Sequence, residues 1–207
     1  MKSFEAEIET ELLTLEGTIT LQEKYDSLHE SIDEFYEQPL PDYLINDPEV
    51  VGYPDAEFQE MIYAKVVSEL IGCEDVIDLG CGRGDLYPIV DAFGIQYTGV
   101  DRLESMKKVA EQKYTGINFL CQEWYDPLYM TSDAVVVAGS ADDLSSFADL
   151  LNISLGYAKK KVVMVLSEDI VPIQNVVFKR PHDTPYKIDA SFASGVYILT
   201  IWKNSFE

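Results

Sequence analysis

A ten-residue stretch, Val76–Asp85, does most to limit how this chain can fold. It starts with apolar residues typical of a strand buried on both faces of a parallel sheet. Three glycines at alternate positions follow, Gly80, Gly82 and Gly84, before a helix begins. Glycine leaves backbone amides accessible to a ligand, and the start of a helix favours anionic or electron-rich groups. The stretch therefore predicts a strand, a ligand-binding turn and a helix in an α/β fold.

Acids at the ends of two predicted strands narrow the class of ligand. The glycine spacing, Gly80-x-Gly82-x-Gly84, is neither a P-loop nor the G-x-G-x-x-G of dinucleotide-binding turns. Asp78 would repel a pyrophosphate but attract an ammonium group. Asp101 ends the next strand, where an acid can accept both hydroxyls of a ribose. An amine acceptor, a glycine turn and a ribose acceptor together fit S-adenosylmethionine better than NAD.

The same residues resemble the class I S-adenosylmethionine-dependent methyltransferase family. Asp78–Gly84 is similar to its first motif, Tyr97–Asp101 to its second, and Val51–Gln59 to a segment that precedes the first motif in some members. The resemblance covers roughly residues 50 to 202. It implies an α/β, doubly wound domain: a mostly parallel seven-stranded sheet with helices on both faces and a C-terminal antiparallel hairpin. It does not specify a substrate.

The resemblance also assigns residues around S-adenosylmethionine. An acid after the third strand of this family accepts a hydrogen bond from the adenine amino group, and Glu123 aligns with it. The loop after the fourth strand borders the methionine portion, because ligands bind at the carboxyl ends of the strands. The predicted cofactor-binding residues are Asp78, Gly80, Cys81, Gly82, Gly84, Asp101, Arg102, Leu103, Gln122, Glu123, Trp124, Gly139 and Ser140.

Several side chains near this predicted site have two interpretations. Leu103 is expected to form an apolar wall for the adenine, whereas Trp124 either flanks it or packs in the ordinary way. Tyr53 and Tyr63 lie in the segment that would cross the cofactor, but tyrosine is abundant here, at thirteen residues. They are therefore weak evidence for a site.

No catalytic residue can be named from the sequence. The cofactor is already reactive, so the protein mainly aligns the acceptor and, where needed, removes a proton. The loop Ala138–Asp142 lacks the [D/N]-P-P-[Y/F] motif of enzymes that methylate nucleic-acid amino groups, and no Pro-Cys nucleophile occurs. Base methylation is therefore disfavoured. His182 is a candidate base, although a lone loop histidine is more often solvated, and Asp142 or Asp143 either orients an amine or caps a helix.

Charge limits the partners of the chain. Its 207 residues include 37 acids and 15 bases, a net charge of −22. Residues 1–60 hold 17 acids and two bases, a net charge of −15. Such a surface repels phosphate backbones, which disfavours direct nucleic-acid binding. The acidic N-terminal part is either a solvated surface or the docking site of a protein partner.

The sequence predicts an acidic, largely helical N-terminal extension, residues 1–50, and a methyltransferase-like domain, residues 51–207. A helix over 20–37 would lie over the cofactor cleft, as in the resembled family, or pack on the sheet edge or another subunit. No apolar run has the length of a membrane span, and the acidic start is unlike a secretory signal. Three cysteines without a pairing pattern favour a cytoplasmic setting, or a host cytoplasm or virion for a viral protein.

Hydrophobic spacing predicts alternating helices and strands after residue 55. Three lysines, Lys159–Lys161, precede one of the strands, on the side away from the cleft, and are expected to cap the preceding helix rather than bind a substrate. The predicted helices cover 56–71, 85–93, 104–114 and 143–157, and the predicted strands cover 76–79, 96–100, 117–121, 133–138, 162–166, 186–190 and 196–202.

Three functions are compatible with these observations. The first is a methyltransferase that acts on a small molecule or a protein side chain. The second is a methyltransferase-like fold that serves as a non-catalytic structural or binding module, for example in a viral particle. The complete set of amine and ribose acceptors argues against it, because a structural module does not need them. The third, a nicotinamide-dependent oxidoreductase, conflicts with the glycine spacing and with the predicted final hairpin.

Overall fold

The computed structural model describes residues 45–51, 53–123, 126–138, 147–167, 186–193 and 195–203. Predictions for the N-terminal helix and for Trp124, Gly139, Ser140, Asp142, Asp143 and His182 lie outside these residues. No helix within the described ranges is long and apolar enough to cross a membrane.

The described chain alternates helices and strands, as the hydrophobic spacing predicted. A short 3-10 helix, Pro48–Val51, precedes the first α-helix. The elements that follow are α1 Ala56–Glu69, β1 Asp75–Leu79, α2 Tyr87–Ala92, β2 Gln96–Asp101, α3 Glu104–Lys113, β3 Asn118–Cys121, β4 Ser132–Ala138, α4 Phe147–Tyr157, β5 Ala158–Ser167, β6 Tyr186–Ala193 and β7 Val196–Lys203.

The strands form one seven-stranded sheet in the order β3-β2-β1-β4-β5-β7-β6. Strands β1 to β5 pair with one another in parallel. Strand β7 is antiparallel to both β5 and β6. The predicted doubly wound sheet with a C-terminal antiparallel hairpin is therefore confirmed. The strand order reverses at β1, between β2 and β4, and in such sheets ligands bind at the carboxyl ends of the strands at this point.

Helices cover both faces of the sheet, because side chains alternate along each strand. Val76, Tyr97 and Val163 pack on one face in a core that includes Ile62 and Val66 of α1. The opposite face forms a second core in which β1, β4 and β5 pack against α4. Residues 132–137 of β4 are all buried, as expected for a strand covered on both sides.

The observed element ends differ from the predicted ones by a few residues. Helix α1 ends at Glu69 rather than at residue 71, and α2 begins at Tyr87, because residues 82–86 form turns. Strand β5 begins at Ala158, four residues before its predicted start at 162. Its first residues are polar, so the apolar pattern did not indicate them.

The prediction that Lys159–Lys161 cap the helix that precedes them in sequence is wrong. Lys161 donates to the carbonyl of Glu69, which ends α1, and not to the helix that precedes it in sequence. Lys160 pairs with Asp133 of β4 at 2.5 Å. Helix α4 is instead capped by Lys203, which donates to the carbonyls of Leu155 and Ala158 at 2.8 Å each. Cations stabilise helix C-termini. In this fold, the lysine at each of these two helix ends comes from a strand that is distant from that helix end in the sequence.

Candidate cofactor site

The glycine loop, residues 80–86, joins β1 to α2 and folds over the carboxyl end of β2. The amides of Gly80 and Cys81 donate to the carbonyl of Val100 at 2.8 and 3.0 Å. The amide of Gly82 donates to Asp101 Oδ2 at 2.8 Å. Gly80 and Gly82 have φ angles of 74° and 52°, in the region that favours glycine. Backbone hydrogen bonds therefore fix the loop to Asp101 and to the end of β2.

The carboxyl group of Asp78 is buried at the end of β1, with 2% of the residue exposed. Its Oδ2 atom accepts a hydrogen bond from the Tyr97 hydroxyl at 2.6 Å. Its Oδ1 atom is buried and has no hydrogen-bond partner in the described part of the chain. Burial raises the pKa of Asp78 to about 7, the Tyr97 hydrogen bond opposes this, and the charge of Asp101 adds to it. A buried carboxyl oxygen without a donor is costly, and it marks a place for a donor from a ligand.

The second acid, Asp101, ends β2 and is 9% exposed. Its Oδ1 atom accepts from the amide of Leu103 at 2.9 Å, and its Oδ2 atom accepts from Gly82. Burial raises the pKa of Asp101, although both backbone hydrogen bonds lower it. Each carboxylate oxygen has two lone pairs, so both can still accept from a ligand hydroxyl. The backbone amides hold the carboxylate in a fixed orientation.

The predicted residues after β3 lie beside the end of β2. The amide of Gln122 donates to the carbonyl of Asp101 at 2.8 Å. Glu123 is close enough for its charge to raise the pKa of Asp101. Arg102, whose charge lowers that pKa, is partly buried, and so is Leu103. The structure thus brings the residues predicted for the ribose and the adenine to one edge of the sheet.

Comparison with known proteins agrees with this arrangement. A family described as "Methyltransferase domain" matches residues 77–153, which start in β1 and include the glycine loop, Asp101 and Glu123. The match covers less than half of the chain, so it shows a similarity to this family. The seven-stranded sheet with its antiparallel last pair of strands is the fold that this similarity leads one to expect. A search of curated proteins found no match.

Solved methyltransferases have the same fold. Magnesium protoporphyrin IX methyltransferase (ChlM) from Synechocystis PCC 6803, with bound SAM, is 18% identical and aligns over 92% of this chain and 100% of its own, with a TM-score of 0.57. The plantazolicin methyltransferase BpumL, in complex with SAH, is 15% identical over 90% and 100%, with a TM-score of 0.61. The N-methyltransferase NodS from Bradyrhizobium japonicum WM9, in complex with SAH, is 10% identical over 85% and 97%, with a TM-score of 0.57. At these identities the similarity shows the fold alone.

The third glycine of the methyltransferase motif, Gly84, has a packing role in this structure. A Cβ atom at Gly84 would lie 2.8 Å from the ring of Phe119, and its φ angle is 73°. At Gly99 of the second motif, a Cβ atom would lie 2.6 Å from Phe119 Cδ1 and 2.7 Å from Cys81 Sγ. These glycines are therefore required by packing between β2, β3 and the loop. A direct cofactor contact of Gly84 stays a prediction.

Arg83 is a buried residue of the glycine loop that the sequence analysis missed. It is 1% exposed, and its Nε and Nη2 atoms donate to Asp85 Oδ2 at 3.0 and 2.7 Å. Its Nη1 atom donates to the carbonyl of Asp47 at 2.9 Å. Arg83 thereby fastens the segment 45–51 to the loop. The spacing to Asp85 could have suggested the ion pair, but the contact with Asp47 joins residues 36 apart in sequence.

The two candidate tyrosines pack in the protein interior. Tyr53 and Tyr63 are 5% and 8% exposed, and their rings meet edge to face at 5.5 Å. Tyr63 accepts a hydrogen bond from Gln59 Nε2 at 3.3 Å. Burial raises the pKa of Tyr63, with smaller contributions from the charges of Tyr53, Asp78 and Asp85. Tyr63 thus lies near Asp78, but its contacts are those of a core residue.

The chemistry of these residues fits S-adenosylmethionine, which is bound in a solved methyltransferase of the same fold. The free Oδ1 atom of Asp78 suits an ammonium donor, and the fixed carboxylate of Asp101 suits a pair of hydroxyls. The backbone of Gly80 and Gly82 presents no Cβ toward a ligand. In the ranges that the structure describes, no group of three His, Cys, Asp or Glu side chains could hold a metal ion.

Proposed function

We propose that this chain is an S-adenosylmethionine-dependent methyltransferase that transfers a methyl group to a small molecule or a protein side chain. The main observation in support is the buried Oδ1 atom of Asp78, which lacks a donor and lies beside the glycine loop. A binding protein of this fold without a cofactor would gain nothing from such an atom, because its burial costs free energy. The three solved methyltransferases above have SAM or SAH bound.

Each predicted residue then has a chemical task. Asp78 binds and orients the amine of the cofactor, and Asp101 accepts from its ribose hydroxyls. Glu123 accepts from the adenine amino group, and Leu103 forms an apolar wall for the base. When bound, S-adenosylmethionine supplies an electrophilic methyl group on a sulfonium. The protein's main contribution is to hold that group in line with the acceptor atom.

The acceptor is proposed from charge alone. The chain carries −22, so an acceptor with a phosphate backbone would be repelled. A neutral or cationic small molecule or a protein side chain meets no such repulsion. A protein partner for residues 1–50 and a cytoplasmic location also stay predictions.

Calorimetric titration with S-adenosylmethionine and, separately, S-adenosylhomocysteine tests the cofactor site. We expect micromolar binding of both by the wild type. Asp101→Ala should weaken binding by about 1–3 kcal/mol, because two ribose hydrogen bonds are lost and their partners stay buried. Asp189→Ala is the matched control, because Asp189 is an exposed acid on β6, at the opposite edge of the sheet.

The outcomes separate the hypotheses. Binding that Asp101→Ala weakens and Asp189→Ala does not would support a working cofactor site. Unchanged affinity in Asp101→Ala would contradict the ribose assignment. If the folded, monodisperse wild type bound neither compound, a non-catalytic structural or binding module would be the better hypothesis.

A further inference from the structure

The hydroxyl of Tyr97 contacts the carboxyl group of Asp78 inside the protein. Tyr97 lies on β2 opposite Val76 of β1, two residues before Asp78, and is 8% exposed. Its Oη atom donates to Asp78 Oδ2 at 2.6 Å. Ring contacts with Tyr87 at 5.6 Å and with Phe119 at 6.0 Å restrict the tyrosine. The hydroxyl is therefore held in place by packing on two sides.

The surroundings of Asp78 leave its second oxygen without a donor. Tyr97 and Asp101 face it from β2, Cys81 from the glycine loop and Tyr63 from α1. The neighbour on β4 is Val136, which is apolar. Within the described residues, only Tyr97 donates to this carboxyl group, and it donates to Oδ2.

On the basis of the methyltransferase function proposed above, we propose that Tyr97 is a positioning residue for the cofactor amine. Its hydroxyl occupies Asp78 Oδ2, fixes the plane of the carboxylate and leaves Oδ1 as the oxygen available to the ammonium group. The hydroxyl also stabilises the ionised carboxylate, the form that an ammonium group needs. Tyr97 thus acts through Asp78 and does not contact the ligand itself.

Binding should then depend on pH in a defined direction. Burial raises the pKa of Asp78 to about 7, so a large share of the ligand-free protein has this group protonated near neutrality. Affinity for an amine-bearing ligand should fall by about tenfold per pH unit below 7 and level off above it. Removal of the Tyr97 hydroxyl removes a hydrogen bond that favours the charged form, so the fall should begin at a higher pH. The pKa of Tyr97 is raised well above 10 by burial, so it stays a donor throughout.

The test is calorimetric titration of the full chain with S-adenosylhomocysteine between pH 6 and 8.5. At pH 7, Tyr97→Phe should bind about tenfold more weakly than the wild type, and it should recover most of this loss at pH 8.5. Tyr87→Phe is the matched control, because it removes a hydroxyl from the same aromatic cluster without touching Asp78. Asp78→Asn should bind weakly at every pH, with no titration near 7.

A second ligand separates this proposal from the proposed function. Methylthioadenosine has the adenine and ribose but lacks the amino-acid portion with its ammonium group, so its affinity should change neither with pH nor in Tyr97→Phe. It also reports whether the variant is folded. If the wild type bound neither S-adenosylhomocysteine nor methylthioadenosine, the cofactor site itself would be refuted. Wild-type binding of S-adenosylhomocysteine with an identical pH profile in Tyr97→Phe would overturn only the role of Tyr97.

A measurement on the wild type does not depend on a folded variant. The Tyr97 hydroxyl proton, in a short buried hydrogen bond, should give a slowly exchanging NMR resonance whose chemical shift titrates near pH 7. S-adenosylhomocysteine should abolish this titration by keeping Asp78 ionised. A tyrosine hydroxyl resonance that is independent of pH in the ligand-free protein would contradict the proposal.

Discussion

At the scale of single residues, glycines, which have no side chain, are as important to the candidate site as the residues that carry one. Gly99 lies on β2 between the motif acid and Tyr97, and its register partner on β3 is Phe119. The ring of Phe119 and the thiol of Cys81 both lie within 3 Å of the position where a Cβ atom would stand at Gly99. The glycine therefore allows the loop and the third strand to approach β2 closely.

Gly99→Ala should destabilise the protein by about 1–3 kcal/mol, because an added methyl group overpacks a site without free space. Gly156→Ala is the matched control: Gly156 lies in α4, and a Cβ atom there has nothing within 4 Å. That change should be neutral or stabilising by up to about 1 kcal/mol, because alanine favours helix. Urea unfolding measures both. Equal stabilities of the two variants would refute the packing explanation.

At the scale of elements, an ion-pair cluster around the buried Arg83 joins three parts of the chain. Arg83 and Lys113 both contact Asp85, so the glycine loop is linked to the end of α3. Arg83 also holds the carbonyl of Asp47. Val51 from the same segment lies 3.6 Å from the Cβ position of Gly82. Segment 45–51 is thereby packed against the glycine loop, residues 80–86.

Arg83→Met should destabilise the protein by about 1–3 kcal/mol, because the carbonyl of Asp47 and the partly buried carboxylate of Asp85 lose hydrogen-bond donors. Lys107→Met is the matched control: Lys107 pairs with Glu111 at 3.3 Å on the surface of α3. Such an exposed i,i+4 pair contributes little to stability. Denaturant unfolding compares the two. A loss in Arg83→Met no larger than in Lys107→Met would show that the cluster does not hold these elements together.

At the scale of the whole molecule, folding and cofactor binding are expected to be coupled at Asp78. Burial of this acid without a second donor costs free energy once it is ionised, and the folded state raises its pKa from 3.8 to about 7. An acid with a raised pKa binds its proton more tightly in the folded state. Its contribution to stability is therefore full below pH 4 and is lost as the pH rises towards 7. A bound ammonium group would remove this penalty.

The stability of the wild type should fall between pH 4 and 7 by up to about 4 kcal/mol from this group, since each pKa unit corresponds to about 1.4 kcal/mol. Asp78→Asn carries no titratable group there and should show a flatter pH dependence over the same range. Urea unfolding at several pH values measures the difference between the two proteins. Parallel stability curves would mean that Asp78 does not titrate in this window. The other acids are common to both proteins and cancel.

Local patterns in the sequence were enough to predict the fold, and they also indicated the residues of a candidate cofactor site. Apolar runs of strand length indicated the buried strands of a parallel sheet, and the alternating glycines indicated the turn after β1. Asp78 and Asp101 were predicted as site residues because each lies at the end of a parallel strand. The ends of these strands lie together at the carboxyl edge of the sheet. These features depend on neighbours within a few residues, so they can be read from the chain in order.

Only the tertiary structure decided which distant groups meet. It paired Tyr97 with Asp78, Arg83 with the carbonyl of Asp47, and Lys203 with the end of α4. Each pair joins residues between 19 and 48 positions apart. Hydrogen bonds and burial depend on distance in space, and a one-dimensional pattern contains no such distance. The sequence therefore determined the fold and indicated candidate cofactor residues, and the packing of strands and loop decided which oxygen of Asp78 has no hydrogen-bond donor among the described residues.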